Sequence, residues 1–547
     1  MRFFITLLLI ASFNASAVPV EGHKIMISAP NHFAVEVGKK IAAKGGNVID
    51  VAVAAGLTLA VTAPYYASLG GGGFALVKMT DTVEAFDFRE TGPGKTHRDY
   101  YADLPETASR NGGHAVAVPG FPAGLYGLHQ RFGKLKWKDL FVEPIKLARD
   151  GFPVSGEWVR ETEEEKDQFN KSGVEKLFKK GGLPLKPGEI LKQPALAKAL
   201  TLFRDQNLKG FYEGSVAKDL VDSIKHEGGQ MTAEDLKNYK MRKLSPLVTE
   251  YEGHKIYLMP PPSSGGVLIW SALKLIEKLG LKSKPALGVD EYHYLAEIES
   301  RVFRGRTLLG DPDFHKNPIE YLTSTDYIDE LKASIKQDKA TTLEPLPLDT
   351  GGKKESSETT HFSVMDADGH AIALTVTLNG GYGSGVVSEK FGIALNNEMD
   401  DFTTKPGKPN MYKLIQGPGN DVGPLKRPLS SMSPTLIEKA GRVIMAVGAP
   451  GGPRIISAVL QVIYRIIGRG VDTDLAIQLP RVHHQFLPNT LFIDRGRLSP
   501  EVIDGLKARG HKISEGSQAK VYVVRLRSDG VLEGAFDSRG EGAAGGF

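Results

Sequence analysis

Residues 359–379 leave little choice of local structure. Thr359–Met365 and His370–Asn379 both read as strands, and Asp366-Ala-Asp-Gly369 between them has turn chemistry, so the segment predicts a β hairpin. A hairpin centred there brings Thr359 almost opposite Thr377, within a residue of register. On the return strand Ala371, Ala373, Thr375, Thr377 and Asn379 share one face, while Ile372, Leu374, Val376 and Leu378 share the other. The polar face would offer a hydroxyl and an amide beside Thr359, and the aliphatic face would pack into a core. Threonines at alternate strand positions are also ordinary β-formers, so the hairpin alone admits a purely structural reading.

The residues before the hairpin add a chemical reading. Glu355-Ser-Ser-Glu358 ends a polar, Pro- and Gly-containing stretch, 336–358, that serves naturally as a loop cut during maturation. A cut before Thr359 would give one residue both a hydroxyl nucleophile and a free α-amine base. A threonine hydroxyl needs such an activator, and an N-terminal amine, with a pKa of about 7.7–8.0, exchanges protons near neutral pH.

Several chemistries are excluded. The chain has no cysteine, which removes thiol catalysis, thiolate metal sites, iron–sulfur clusters and disulfides. It has no Gly-x-Ser-x-Gly elbow, His-Glu-x-x-His helix or phosphate-binding loop, and Gly381-Tyr-Gly-Ser-Gly385 lacks dinucleotide-loop spacing. A net charge of +4 without a basic stripe gives no case for nucleic acid. His483-His484 has no third ligand at metal spacing, which favours packing or hydrogen bonding. Asp366-Ala-Asp-Gly369 lacks the later positions of a calcium loop and reads as a turn. No metal or cofactor is expected.

Further motifs follow in a fixed order: Gly70-Gly-Gly-Gly-Phe74, Phe86-Asp-Phe-Arg89-Glu, Pro260-Pro-Pro-Ser-Ser-Gly-Gly266, Gly310-Asp-Pro-Asp-Phe314, Asn396-Asn-Glu-Met-Asp-Asp-Phe402, Lys426-Arg-Pro-Leu-Ser-Ser-Met-Ser-Pro434, Gly448-Ala-Pro-Gly-Gly-Pro-Arg454 and Pro480-Arg-Val-His-His-Gln485. Singly, each has a bland reading as a turn, a bend or a surface ion pair. Together with the threonine hairpin they resemble the γ-glutamyltransferase (glutathione hydrolase) family of N-terminal-nucleophile hydrolases, from about Ile25 to Phe547.

The resemblance implies that the precursor cuts itself between Glu358 and Thr359, and that Thr359 then attacks the γ-amide carbonyl of a γ-glutamyl donor. Water or an acceptor amino acid or dipeptide would resolve the acyl-enzyme. It implies that Thr377 holds the nucleophile and that Gly451 and Gly452 form the oxyanion hole. Arg89, Ser430 and Ser431 would bind the donor α-carboxylate, and Asn379, Glu398 and Asp401 its α-ammonium. Within 404–423, Tyr412 matches a lid tyrosine that screens the site, which points to small donors such as glutathione. The implied fold is α/β (α+β), a four-layer αββα sandwich formed jointly by a large chain, residues 18–358, and a small chain, residues 359–547, as one intertwined unit.

Departures from the family pattern are Glu358 itself, Asn379-Gly-Gly-Tyr-Gly, Arg304-Gly-Arg306 and Tyr65-Tyr-Ala-Ser-Leu69. Two other readings stay open: a related glutaryl or cephalosporin acylase, and an inactive exported protein that binds γ-glutamyl compounds. Residues 1–17 have a positive start, an apolar run and Ala15-Ser-Ala17, the pattern of a signal peptide, which predicts a periplasmic or secreted bacterial protein with no membrane span in its mature chain. Elsewhere the patterning predicts a buried helix over Asn47–Thr62, strands over Phe74–Met79 and Glu84–Arg89, a helix start at Thr232-Ala-Glu-Asp235 and an apolar helix over Gly266–Leu279.

Overall fold

In a computed structural model, which describes residues 19–179, 181–343 and 359–547, the predicted hairpin forms. The expected signal peptide, Glu358 and the greater part of the 336–358 loop lie outside the described residues. Thr360–Asp366 pairs antiparallel with Ala371–Thr377, Thr360 against Val376 and Met365 against Ala371. That register sets Thr359 across from Thr377. At the turn, Asp366 Oδ1 accepts the N–H groups of Asp368 and His370, and Gly369 adopts φ +88°, where a side chain would be strained.

The hairpin is the middle of a seven-stranded sheet ordered Ala543–Gly546, Ile25–Ala29, Thr360–Asp366, Ala371–Thr377, Gly72–Lys78, Val83–Phe88 and Arg242–Leu244. A second seven-stranded sheet packs against it, ordered Val20–Gly22, Leu532–Phe536, Tyr522–Leu526, Arg442–Gly448, Thr435–Lys439, His254–Leu258 and Leu247–Tyr251. Neighbouring strands are antiparallel throughout both sheets. Each sheet draws strands from both sides of residues 344–358, so the two stretches of chain interleave.

Alternation along the strands decides which layer each face meets. Ile372, Leu374, Val376 and Leu378 join a core with the helices His32–Ala43, Val48–Thr62 and Phe121–Phe132. Ala371, Ala373 and Met365 point the other way, into a second core shared with the second sheet and the helices Gly265–Lys278, Val289–Gly305 and Arg454–Ile463. The result is a four-layer αββα sandwich. The face expected to be polar is therefore also interior. Its polar members are satisfied there: His361 Nδ1 meets Thr375 Oγ1 at 2.8 Å and Nε2 meets Ser363 Oγ at 2.9 Å.

Local chemistry sets the element ends. The buried helix starts at Val48 because Asn47 is its cap, its side chain accepting from Ile49 and Asp50 N–H while Asp50 accepts from the Asn47 backbone. Thr232 caps Ala233–Lys237 with the same reciprocal box. The Gly72–Lys78 strand begins earlier than predicted. A Cβ on Gly71 or Gly73 would lie 2.2 or 2.1 Å from the carbonyl oxygens of Thr377 and Thr375, so only glycines let these backbones meet. Among the described residues no helix is long and apolar enough to cross a membrane.

The helix Phe121–Phe132 closes on the end of the Val83–Phe88 strand, where a Cβ on Gly124 would lie 2.4 Å from the Phe88 ring. Phe88 is fully buried, so its ring has nowhere to retreat. Gly124→Val is expected to destabilise the protein by about 1–3 kcal/mol, read as a lower urea midpoint with unchanged slope.

Candidate active site

Thr359 Oγ1 lies 3.2 Å from Thr377 Oγ1, and both residues are buried. They line a cleft together with Arg89, Arg306, Asn379, Glu398, Asp401, Tyr412, Leu414, Ser430, Ser431, Met432, Gly452, Pro453 and Ile455. Ten of the eleven described residues that the sequence singled out thus meet in one place, and the eleventh, Gly451, adjoins it with its Cα face against Ala519.

Each wall is built by short-range chemistry. Thr377 Oγ1 accepts the Asn379 N–H at 2.8 Å, and Asn379 bends the chain out of the strand at φ +74° while its Nδ2 donates to the Asn397 carbonyl. Asn396 accepts from the Ala117 and Glu398 N–H groups and donates to the Gly70 and Ala117 carbonyls, which fixes the turn carrying Glu398 and Asp401. The Ser430-Ser431 loop is held by the Pro260–Gly266 segment: Ser430 N–H donates to the Pro262 carbonyl at 2.7 Å, and Ser264 donates both N–H and Oγ–H to the Ser430 carbonyl at 2.8 Å. Gly452, at φ +54°, lies under the Tyr412 ring, which a Cβ would meet at 2.8 Å. The Tyr412 hydroxyl donates to the Asn379 carbonyl.

The family resemblance assigns Arg89 to the donor α-carboxylate. In this structure it already holds two of the chain's own. Its Nη1 donates to Glu398, its Nη2 to Asp401 at 2.6 Å and its Nε to the Pro428 carbonyl at 3.2 Å, all buried. Burial works against the guanidinium charge, yet the pull of Glu398, Asp401 and Glu90 outweighs it and leaves Arg89 more basic than usual. Glu90, fully buried beside Arg89, has no hydrogen-bond partner on either oxygen among the described residues, nor has Glu398 Oε2. Burial pushes Glu90 up to about 7 against the pull of Arg89, and it also raises Glu398 and Asp401.

A second charged cluster braces Arg89 from behind. Asp87 accepts the Arg89 N–H and pairs with Arg242 and Arg427 at 2.6 Å each. Asp311 accepts from Arg242 at 2.8 Å and from the Arg427 N–H at 2.8 Å. Phe86-Asp-Phe-Arg89, Gly310-Asp-Pro-Asp and Lys426-Arg-Pro are thus parts of one brace.

Sequence reasoning did not place Arg306 in the cleft or Glu90 buried beside Arg89. Arg306, which had stood out only as a departure from a motif, is buried, and that burial pulls its guanidinium down to about 10 against the pull of Asp401. It donates to Ser264 Oγ, Gln416 Oε1 and the Leu429 carbonyl. The one usable signal was an arginine followed closely by Gly310-Asp-Pro. Among the described residues one group, Asp366, Asp368 and His370, has the atoms to hold a metal ion, within 4.8 Å of one another. Those atoms already serve the turn, where His370 Nδ1 meets Asp366 Oδ2 at 2.8 Å.

Comparison with known proteins identifies the family of the chain. Residues 34–547 match the family model described as Gamma-glutamyltranspeptidase. The chain is 38% identical over 530 residues to the glutathione hydrolase proenzyme of Escherichia coli (strain K12), covering 95% of this chain and 91% of that one. It is 39% identical over 523 residues to that of Pseudomonas sp. (strain A14), covering 94% and 90%. Among solved structures, the Helicobacter pylori gamma-glutamyltranspeptidase superposes with a TM-score of 0.55 at 34% identity, covering 57% of this chain and 91% of that one. A cephalosporin acylase from Bacillus halodurans superposes with a TM-score of 0.85 over 99% of both chains at 23% identity, which speaks to the fold alone.

The raised Glu90 predicts a pH effect. Between its unfolded value of 4.5 and its folded value of about 7 the folded state holds the extra proton, so this contribution to stability is present below pH 4.5 and lost as pH rises through 7. Glu90→Gln removes the titration. Unfolding at pH 5 and pH 8 should show a smaller drop in stability for the variant than for wild type.

Proposed function

The chain belongs to the gamma-glutamyltranspeptidase family of N-terminal-nucleophile enzymes, whose chemistry is γ-glutamyl transfer and hydrolysis, and on that premise we propose a role for each residue of the cleft. The precursor cuts itself between Glu358 and Thr359, leaving a large chain, 18–358, and a small chain, 359–547, held together by their shared sheets. The freed α-amine takes the Thr359 hydroxyl proton as Oγ1 attacks the γ-carbonyl of the donor. The C–N bond breaks, the proton passes to the departing amine, and an ester remains on Thr359. Water or an acceptor amine then attacks that ester and gives its proton to the α-amine, which passes it to Thr359 Oγ1 as the ester C–O bond breaks, restoring the free hydroxyl and amine.

Thr377 orients the nucleophile, and the Gly451-Gly452 turn binds the oxyanion through backbone N–H groups. The donor's α-carbon end exchanges partners with the resting ion pairs: its carboxylate takes Arg89, Ser430 and Ser431, and its ammonium takes Asp401, Glu398 and Asn379. Glutathione and related γ-glutamyl compounds fit this requirement, with Tyr412 screening the cleft against larger donors. Export to the periplasm or outside the cell agrees with the first seventeen residues.

The observation that carries this reading is the meeting of the Thr359–Thr377 pair and the Arg89 clamp in one cleft. A glutaryl donor has no ammonium and would leave Asp401 and Glu398 without their counter-charge, which argues against the acylase.

Intact-mass spectrometry of wild type and Thr359→Ala, with assays on γ-glutamyl-p-nitroanilide with and without glycylglycine, tests the proposal. Wild type should appear as two chains and release nitroaniline faster with the dipeptide, and Thr359→Ala should stay whole and inactive. Cleavage with turnover of glutaryl-p-nitroanilide alone would instead mark an acylase, and an uncut, inactive wild type a binding protein. Arg89→Lys loses the forked geometry while keeping the charge, and should raise the donor KM about tenfold or more.

A further inference from the structure

The run Pro480–Gln485 takes no part in the chemistry above, yet its last side chain reaches the lid. Gln485 Nε2 donates to the Tyr412 carbonyl at 2.9 Å and to the Leu487 carbonyl at 3.2 Å. Both partners can only accept, which settles the orientation of the amide and turns Oε1 toward His483 Nε2, 2.9 Å away. An amide oxygen accepts, so His483 carries its proton on Nε2, and Nδ1 accepts from the Ser457 hydroxyl at 2.6 Å. Burial, with Arg454 adding to it, holds His483 well below the usual imidazole range, which favours this neutral form.

Ser457 stands on the helix Arg454–Ile463, which begins one residue, Pro453, after Gly451-Gly452. A buried chain of hydrogen bonds therefore runs from the helix behind the glycine turn to the backbone of the lid. On its cleft side Tyr412 covers Gly452 and bonds the Asn379 carbonyl. Beyond Tyr412, the buried Leu414 and Ile415 line a small pocket shared with Phe303, Phe486 and Leu487.

We propose that Gln485, oriented by His483 and Ser457, is the latch that holds Tyr412 over the cleft and so sets the size of donor that reaches Thr359. It is a positioning residue that acts through the lid. The proposal rests on the γ-glutamyl reading for the identity of the donor, and on geometry alone for the latch. Without the amide donor, the Tyr412 carbonyl loses its tether and residues 410–414 lose the closed arrangement in which Met411, Tyr412 and Leu414 N–H groups are bonded to Asp400 and Asn410.

The test compares wild type, Gln485→Ala and Gln485→Glu; the last keeps the size and the acceptor for His483 while losing the donor. Hydrogen–deuterium exchange of the peptide spanning 404–423 should quicken in both variants, with the thermal unfolding transition kept. The KM for γ-glutamyl-p-nitroanilide should rise about five- to tenfold with kcat within about twofold of wild type. Turnover of an oligo-γ-glutamate donor should rise relative to the anilide. Unchanged exchange and an unchanged donor ratio in Gln485→Ala would overturn the latch, and so would loss of the unfolding transition in both variants, which would make Gln485 a core residue. If wild type turns over no γ-glutamyl donor, the function reading falls alone, and the exchange data still decide the latch.

Discussion

Arg89, Glu398 and Asp401 are all withdrawn from solvent, and removing such charges from water costs several kcal/mol per ion, roughly, unless each finds its partners. Much of the surrounding architecture serves that need. Asp87 fixes the Arg89 backbone while Arg242 and Arg427 neutralise Asp87, and Asp311 in turn holds Arg242 and the Arg427 N–H. The Pro260–Gly266 segment holds the serine loop, and Asn396 holds the acidic turn. The motifs spread along the chain are thus supports for one desolvated cluster, which is why they gather from remote positions around a single cleft.

The resting pairing also gives the proposed selectivity a physical basis. A zwitterion entering the cleft brings one charge of each sign, so Arg89 and its carboxylates can trade a mutual pair for two pairs with the donor while burying no net charge. A donor with only one of the two charges forces the site to keep an ion without its counterpart, at a cost of several kcal/mol, roughly. Glu90 and Glu398, whose neighbouring oxygens lack donors, ease the surplus of negative charge by favouring a bound proton.

Where local chemistry decides structure, the sequence was legible. Asp366-Ala-Asp-Gly369 announced a turn, alternation announced which face of Ala371–Thr377 met the helices, and Asn47 and Thr232 marked helix starts by their side chains. The cleft residues were legible through their motifs. What stayed hidden depended on partners far away in the chain. The interior fate of the polar strand face followed from a second sheet whose position no local pattern encodes, and His361 is at home there only because Thr375 and Ser363 flank it. That Arg89 arrives already occupied, and that Arg306 reaches the same cleft, follow from contacts between segments that only the tertiary fold brings together.

The interleaving of the two sheets has a consequence for the life history of the molecule. As one continuous chain, the sandwich assembles by an intramolecular search. After a break before Thr359 the same strands belong to two polymers, each holding alternate parts of both sheets, and neither has a complete sheet of its own. Reassembly from the unfolded state would then need an encounter between two partners, at a rate set by their concentration. Such a cut would make folding a one-way event, with the architecture laid down once, by the precursor, and retained kinetically thereafter.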